Sequence, residues 1–198
     1  MTETLLIIGM ATAVVFVAIL LIEGALRPGY NPVYHTGSEL SLGERGWIQI
    51  ASFLQLGAGM FAFALGVNQA LGTPIGAVLL ALFGLGMIAA GVFLTDPVRG
   101  YPPGSSAGLE GERTWHLKIH VAVAGHSLLE LFAACLVLVR RLDGPWRLYT
   151  ILTAGVGPVL TIGTALAYQR DAAYLRLVQR ALILVYLIWI VLLGIHLV

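Results

Sequence analysis

Six apolar runs, each close to twenty residues, leave this chain little freedom in what it can fold into. They span about 5–25, 47–68, 74–95, 119–139, 148–168 and 178–198. An α-helix rises ~1.5 Å per residue, so ~20 residues cross the ~30 Å of a bilayer's hydrocarbon. None of the runs alternates apolar and polar residues as a membrane-spanning strand would. The expected fold is therefore all-α: a polytopic integral membrane protein, a six-transmembrane-helix bundle with both termini on the same side. Nothing is left over for a second domain, so 1–198 reads as one transmembrane unit. Hydrophobic residues make up 59% of the 198 and charged residues 11%, where a soluble domain carries about a quarter charged. The first run has no basic leader and ends in Arg-Pro, which makes it a span rather than a cleaved signal peptide.

Charge excludes one class of partner. The net charge is +1 and the basic residues are scattered, so no nucleic-acid surface is expected. Cys135 is the only cysteine; inside an apolar run it should be a small buried residue.

Six spans place the connections 26–46, 96–118 and 169–177 together on one side, the loop face. The opposite, terminal face has only "NQALGT", "RRLDGPW" and the chain ends. Almost every side chain capable of chemistry falls on the loop face. So do eight of the eleven basic residues, with only Arg140, Arg141 and Arg147 on the terminal face. Counted literally, that puts the loop face in the cytoplasm, while the denser cluster of three arginines argues for the terminal face.

The fourth run, "WHLKIHVAVAGHSLLELFAACLVLVRR", holds the most polar groups. His116 and His120 share a helical face with Ser127, and His126 and Glu130 form an adjoining stripe. Lys118 points away and snorkels to the headgroups. An ionisable group at this depth costs at least ~2.5–3.5 kcal/mol and calls for an explanation. Three are open. His116 and His120 could ligate a metal completed by Asp96 or Glu39, although i, i+4 spacing alone does not select one. They could serve acid/base or ligand-binding chemistry. Or they could bond to loop residues, with Glu130 satisfied by a neighbouring helix. Haem b between helices is not expected. His126 and His196, on the second helix that carries a histidine, differ by roughly 15–20 Å in depth.

Helices two and three are rich in small residues, among them Gly57, Gly59, Gly84, Gly86 and Gly91, which suits close helix contact or a docking surface for a membrane partner. Pro158 interrupts helix five. The first and second loops on the loop face share their materials: Arg27-Pro28-Gly29-Tyr30 and Pro32 in one, Asp96-Pro97 and Pro102-Pro103-Gly104 in the other. Prolines of this kind make stiff turns. "TGSE" and "SLGE" both fit the capping box, the first opening a short helix near Gly37–Leu42 and the second starting helix two.

The order "RPGYNPVYHTGSELSLGERGWIQIASF", "GVFLTDPVRGYPPG", a histidine entering helix four and "QR" entering helix six resembles a bacterial and archaeal six-helix family. It is catalogued as domain-of-unknown-function family nine-nine-eight, and the resemblance covers essentially the whole chain. It extends to Arg27, Tyr30, His35, Ser38 and Trp47, to Asp96, Gly100, Tyr101, Pro102 and Pro103, and to Gln179 and Arg180. His120 is the matching histidine; His116, His126 and Glu130 are particular to this chain. The layout is also loosely similar to six-helix membrane proteins of the Frag1 and DRAM type. The resemblance implies a prokaryotic inner-membrane protein with termini inside, although this chain begins "MTETLL", without the basic stub common in the family. It implies no reaction.

Three functions fit these residues. The first is a loop-face pocket binding a lipid headgroup or small amphiphile, with Arg27, Tyr30, His35, Ser38, Asp96, Tyr101, His120, Gln179 and Arg180 as its ligand-binding residues. The second is a membrane-embedded hydrolase with Asp96 and His120 as catalytic acid/base or with a metal on His116 and His120. The third is an accessory subunit of a larger complex, docking through helices two and three.

Overall fold

A computed structural model describes residues 1–106 and 113–198; part of the connection 96–118 therefore lies outside the described residues. Six α-helices follow one another: α1 (Thr2–Leu26), α2 (Gly46–Leu71), α3 (Pro74–Val92), α4 (Trp115–Leu138), α5 (Gly144–Gln169) and α6 (Leu175–Leu197). Short 3₁₀ turns at Gly37–Ser41 and Val139–Arg141 complete the described secondary structure. Each α-helix is long and apolar enough to cross a membrane, which defines a six-span, all-α integral membrane protein. Consecutive helices pack side by side and α6 returns against α1. The bundle is thus a ring of six, up and down in sequence order.

The helix ends differ from the expected ones for identifiable reasons. α3 stops at Val92, not Thr95. Pro97 has no N–H to give to the Phe93 carbonyl, four residues back, so the helix cannot run through it. His120 supplies that hydrogen bond instead, Nδ1 to the Phe93 carbonyl at 2.8 Å. α4 begins four residues early, at Trp115, because the Thr114 hydroxyl caps it by accepting from the Leu117 N–H at 3.2 Å. α6 begins at Leu175, which turns Arg176 from a loop residue into a first-turn helical one.

Of the two capping boxes, one forms. The Thr36 hydroxyl accepts from the Glu39 N–H at 3.1 Å, and the Glu39 carboxylate accepts from the Thr36 N–H at 3.0 Å. The second does not form. α2 starts at Gly46 with no side-chain cap, and the Ser41 hydroxyl is buried without a partner. Ser41 is the last residue of the preceding 3₁₀ turn, and its carbonyl lies 2.1 Å from where a Cβ on Gly46 would stand. The chain doubles back too tightly there for the box to close.

The glycines of α2 and α3 face inward. A Cβ on Gly57 would meet the Gly84 carbonyl at 2.5 Å, and one on Gly84 would meet the Gly57 carbonyl at 2.7 Å. Gly59 seats Thr12 of α1, and Gly86 seats Ser127 of α4. These residues let helices of the same chain approach closely. Gly57→Ala should therefore lower the thermal midpoint, at about 1–3 kcal/mol for the forced separation. Gly155→Ala, where an added Cβ meets nothing within 4 Å, should leave the midpoint unchanged or slightly higher. Equal behaviour of the two variants in a detergent melt would contradict this packing.

Candidate functional site: an amphipathic cavity at the loop face

The loop face is organised by two buried carboxylates. Glu23, in the last turn of α1, receives Arg27 Nε at 3.0 Å and Nη2 at 2.7 Å, and also pairs with Arg45. Arg27 also donates to the Leu42 carbonyl at 3.0 Å, the Tyr101 hydroxyl at 3.1 Å and the Arg45 carbonyl at 2.9 Å. A guanidinium has five N–H groups, and five bonds are made here. Arg27 is expected from the sequence to meet a ligand; the structure places it as an internal staple between α1 and both long loops.

The other carboxylate is Glu39. Besides closing its capping box, it accepts from Arg99 Nη1 and from Arg176 Nη2, each at 3.3 Å. All three side chains are almost completely buried. Arg99 continues to Asp171, Nε to Oδ1 at 2.7 Å, and packs its guanidinium over the Tyr168 ring at 4.9 Å. Arg176 Nε donates to the Tyr34 carbonyl. Arg99 and Asp171 are also the two described non-glycine residues with left-handed backbone, at φ 58° and 47°. Such strain costs roughly 1–3 kcal/mol each, and the ion pair between them supports it. The bond from Arg99, joined by one from the Tyr34 hydroxyl at 3.1 Å, holds the Asp171 carboxyl below the usual range against its partial burial.

Around these pairs the loop side chains are used up structurally. His35 Nδ1 accepts from the Asn31 N–H at 2.9 Å, so its proton is on Nε2, which donates to the Arg99 carbonyl at 3.0 Å. The Tyr30 hydroxyl lies 3.0 Å from the His35 carbonyl and 2.8 Å from the Thr36 carbonyl, and accepts from Arg180 at 3.2 Å. Burial pushes the Tyr30 phenol up to about 12, so it stays a neutral donor. Rings of Tyr30, His35 and Tyr101 pack mutually at 5.3–5.4 Å.

Beside this packed loop layer lies a cavity of about 530 Å³. Thr36, Ser38, Arg99, Arg113, Arg176 and Gln179 contribute to its polar end. Leu117, Val121, Leu128 and Ala165 form an apolar flank between α4 and α5. His120, Ala124, Leu128 and Gln179 also border a deeper chamber of about 140 Å³ inside the ring. Phe16, Phe53, Phe83 and Leu187 are among the residues that enclose this chamber. The arrangement is amphipathic: charge at the membrane boundary, hydrocarbon below.

Of the residues expected at a ligand site, Ser38, Asp96, His120 and Gln179 border the cavity. Arg27, Tyr30, His35 and Tyr101 lie in the loop layer, and Arg180 packs against Gly24 and Tyr30 between α6 and α1. Asp96 and His120 are not joined by a hydrogen bond. The Asp96 carboxylate takes the Thr114 N–H at 2.9 Å and the Thr114 hydroxyl at 2.5 Å. His120 gives its Nδ1 proton to the Phe93 carbonyl, with the Ala90 carbonyl also beside the ring, which leaves Nε2 as the nitrogen it can offer a ligand. The His116 ring lies against that of Trp115, tilted by 47° with centroids 3.9 Å apart, and among the described residues no group of three His, Cys, Asp or Glu is placed to hold a metal. His126 bonds to its own helix, at the Ala122 carbonyl, and half-buried Glu130 keeps one carboxylate oxygen buried without a partner. The neighbouring-helix partner expected for Glu130 is not there.

Sequence reasoning missed Arg99 and Arg176 as site residues. Each borders the cavity, and each keeps one buried guanidinium nitrogen, Nη2 of Arg99 and Nη1 of Arg176, without a hydrogen-bond partner. A signal existed: Arg99 stands inside the "DPVRGYPPG" motif, and Arg176 lies one helical turn before Gln179 and Arg180.

Fold and cavity together define a six-helix integral membrane protein with an amphipathic pocket at one membrane face. Residues 10–196 match the family described as "Protein of unknown function (DUF998)", and the chain belongs to that family. No curated protein and no solved structure matches it.

Two outcomes follow from the ion-pair network. Glu39→Gln leaves two buried guanidiniums sharing no carboxylate, and should cost about 3–5 kcal/mol in a detergent unfolding assay; a loss under about 1 kcal/mol would show the pairs to be incidental. A carboxyl held below its unfolded value stabilises the fold at higher pH and loses that contribution as pH falls through the folded value. Intrinsic-rate-corrected hydrogen exchange around Asp171 should therefore rise as pH drops from about 5 towards 3. Asp171→Asn should remove that dependence.

Proposed function

We propose that the protein binds an anionic amphiphile in the loop-face cavity, with the anionic group against Arg99 and Arg176 and the apolar part along α4 and α5. The observation that carries this reading is the pair of unsatisfied guanidinium nitrogens. A buried donor without a partner costs about 1–3 kcal/mol, more when charged, and the two here stand on neighbouring arginines bordering one cavity. Among the described residues three guanidiniums and two carboxylates border it, Arg99, Arg113 and Arg176 against Glu39 and Asp96. Both carboxylates are already engaged within the protein, so the free capacity is for an anion. His120 Nε2 and the Gln179 side chain, where headgroup and apolar walls meet, would orient the ligand. The family resemblance favours a prokaryotic inner membrane as the setting.

Binding can be measured with soluble short-chain probes on the purified protein in mild detergent. Dihexanoyl phosphatidate should raise the thermal midpoint, and uncharged dioctanoylglycerol should not. Arg176→Gln should weaken phosphatidate binding by about tenfold or more, equivalent to about 1.4 kcal/mol. Arg27→Gln should lower stability while leaving the affinity of the folded fraction unchanged. Equal response of the wild type to the charged and uncharged probes would remove the anion site.

A further inference from the structure

We infer that the ligand is a membrane lipid which reaches this cavity sideways from the bilayer, through an opening between the loop-face halves of α4 and α5, where its acyl chain comes to lie. The inference rests on the anionic-amphiphile reading and adds the source of the ligand and its route.

The packing of α5 changes abruptly along its length. Thr150, Thr153, Ala154 and Gly157 are buried in the terminal-face half, but from Pro158 to Leu166 no residue is. The first half is locked to α6. Thr150 accepts from the Trp189 indole at 3.0 Å, and Gly157 makes room for the Tyr186 hydroxyl, which lies 2.1 Å from the position of an added Cβ. Beyond Pro158, Gly163 still touches Val178 of α6, 3.3 Å from an added Cβ, so this half keeps its α6 neighbour. On its α4 side, Thr161, Thr164 and Ala165 border the cavity. Pro158 marks the boundary, because it gives no N–H to the Ala154 carbonyl and so loosens the helix at that point.

The facing half of α4 is open in the same way. Val121, Ala122 and Gly125 are exposed, and a Cβ on Gly125 would meet nothing within 4 Å. Val121 and Gly125, together with the equally exposed Ala165 of α5, border the cavity. Cavity-lining residues this exposed show that the cavity is open along its α4–α5 flank. The glycines of α2 and α3 do the opposite, closing their helices backbone to backbone. At this depth the outside is hydrocarbon, so what passes the opening is apolar. An acyl chain satisfies that, while the headgroup moves up to Arg99 and Arg176. A water-borne anion would have no use for an apolar side opening.

The test uses the full chain reconstituted in nanodiscs containing a phosphatidate with a diazirine in its acyl chain. After photolysis, adducts should concentrate on 121–128 of α4 and 161–165 of α5, and excess unlabelled phosphatidate should suppress them. Adducts spread evenly over the outer faces of α1, α2 and α3, with no competition at α4 and α5, would overturn the route. Gly125→Trp and Ala165→Trp, introduced separately, should each reduce retention of long-chain phosphatidate in native mass spectrometry by about tenfold or more. The thermal response to water-soluble dihexanoyl phosphatidate, whose short chains do not need the opening, should fall less than the retention of the long-chain lipid. Undiminished long-chain retention, or parallel loss of both probes in folded protein, counts against the opening. A wild type that binds neither probe removes the anion site itself, and this inference with it.

Discussion

Of the two buried carboxylates that organise the loop face, Glu39 is the one that joins the first loop, the second loop and α6. It closes the capping box of the first loop and binds both Arg99 of the second and Arg176 of α6. Taking three charges out of water costs several kcal/mol per ion, and only good geometry and further hydrogen bonds recover it. The further bonds are present: Arg99 to Asp171, Arg176 to the Tyr34 carbonyl, His35 to the Arg99 carbonyl. Left-handed backbone at Arg99 and Asp171 persists because these contacts over-determine it. Nη2 of Arg99 and Nη1 of Arg176 nonetheless have no partner among the described residues, nor does Nη1 of Arg180 outside this network. Arg99 and Arg176 border the cavity proposed as the binding site.

The spans were legible from the sequence because bilayer thickness imposes a length that few other structures share. The stiff loops were legible too, since proline restricts backbone wherever it stands. The pairing of charges was not. Arg27 and Arg176 look alike on paper, yet one spends all five N–H groups inside the protein and the other keeps its Nη1 without a partner among the described residues. Which fate each meets depends on where loops 26–46 and 96–118 fold back, and that is set by contacts as distant in sequence as Arg176 with Glu39. Ser41 shows the same limit at short range. Its box has the right letters, but the 3₁₀ turn before it had already taken the backbone geometry the box requires.

The same pairing explains why the basic residues gave conflicting signals about orientation. Of the eight on the loop face, Arg27, Arg99 and Arg176 are buried and Arg45 is tied to Glu23. The positive-inside rule concerns charges free to stay with one aqueous side, and side chains occupied in internal ion pairs are poor reporters of it. On the terminal face Arg140 and Arg141 are exposed, as is Arg147 at a half-buried Trp146 that stacks on His196.

His120 connects the fold to the chemistry open to the cavity. Pro97 removes the N–H that would have continued α3, and His120 fills that gap from α4. A carbonyl can only accept, so the bond fixes the imidazole proton on Nδ1 and orients the ring. Ring and carbonyl together tie α3 to α4 at the point where the cavity narrows into the deeper chamber. A histidine held this way keeps only Nε2 as an acceptor, which would suit a hydroxyl or a protonated phosphate oxygen of the proposed ligand. The guanidiniums above it supply charge and the ring below supplies direction. A bound headgroup would be read by both, and its chain directed to the side where α4 and α5 part.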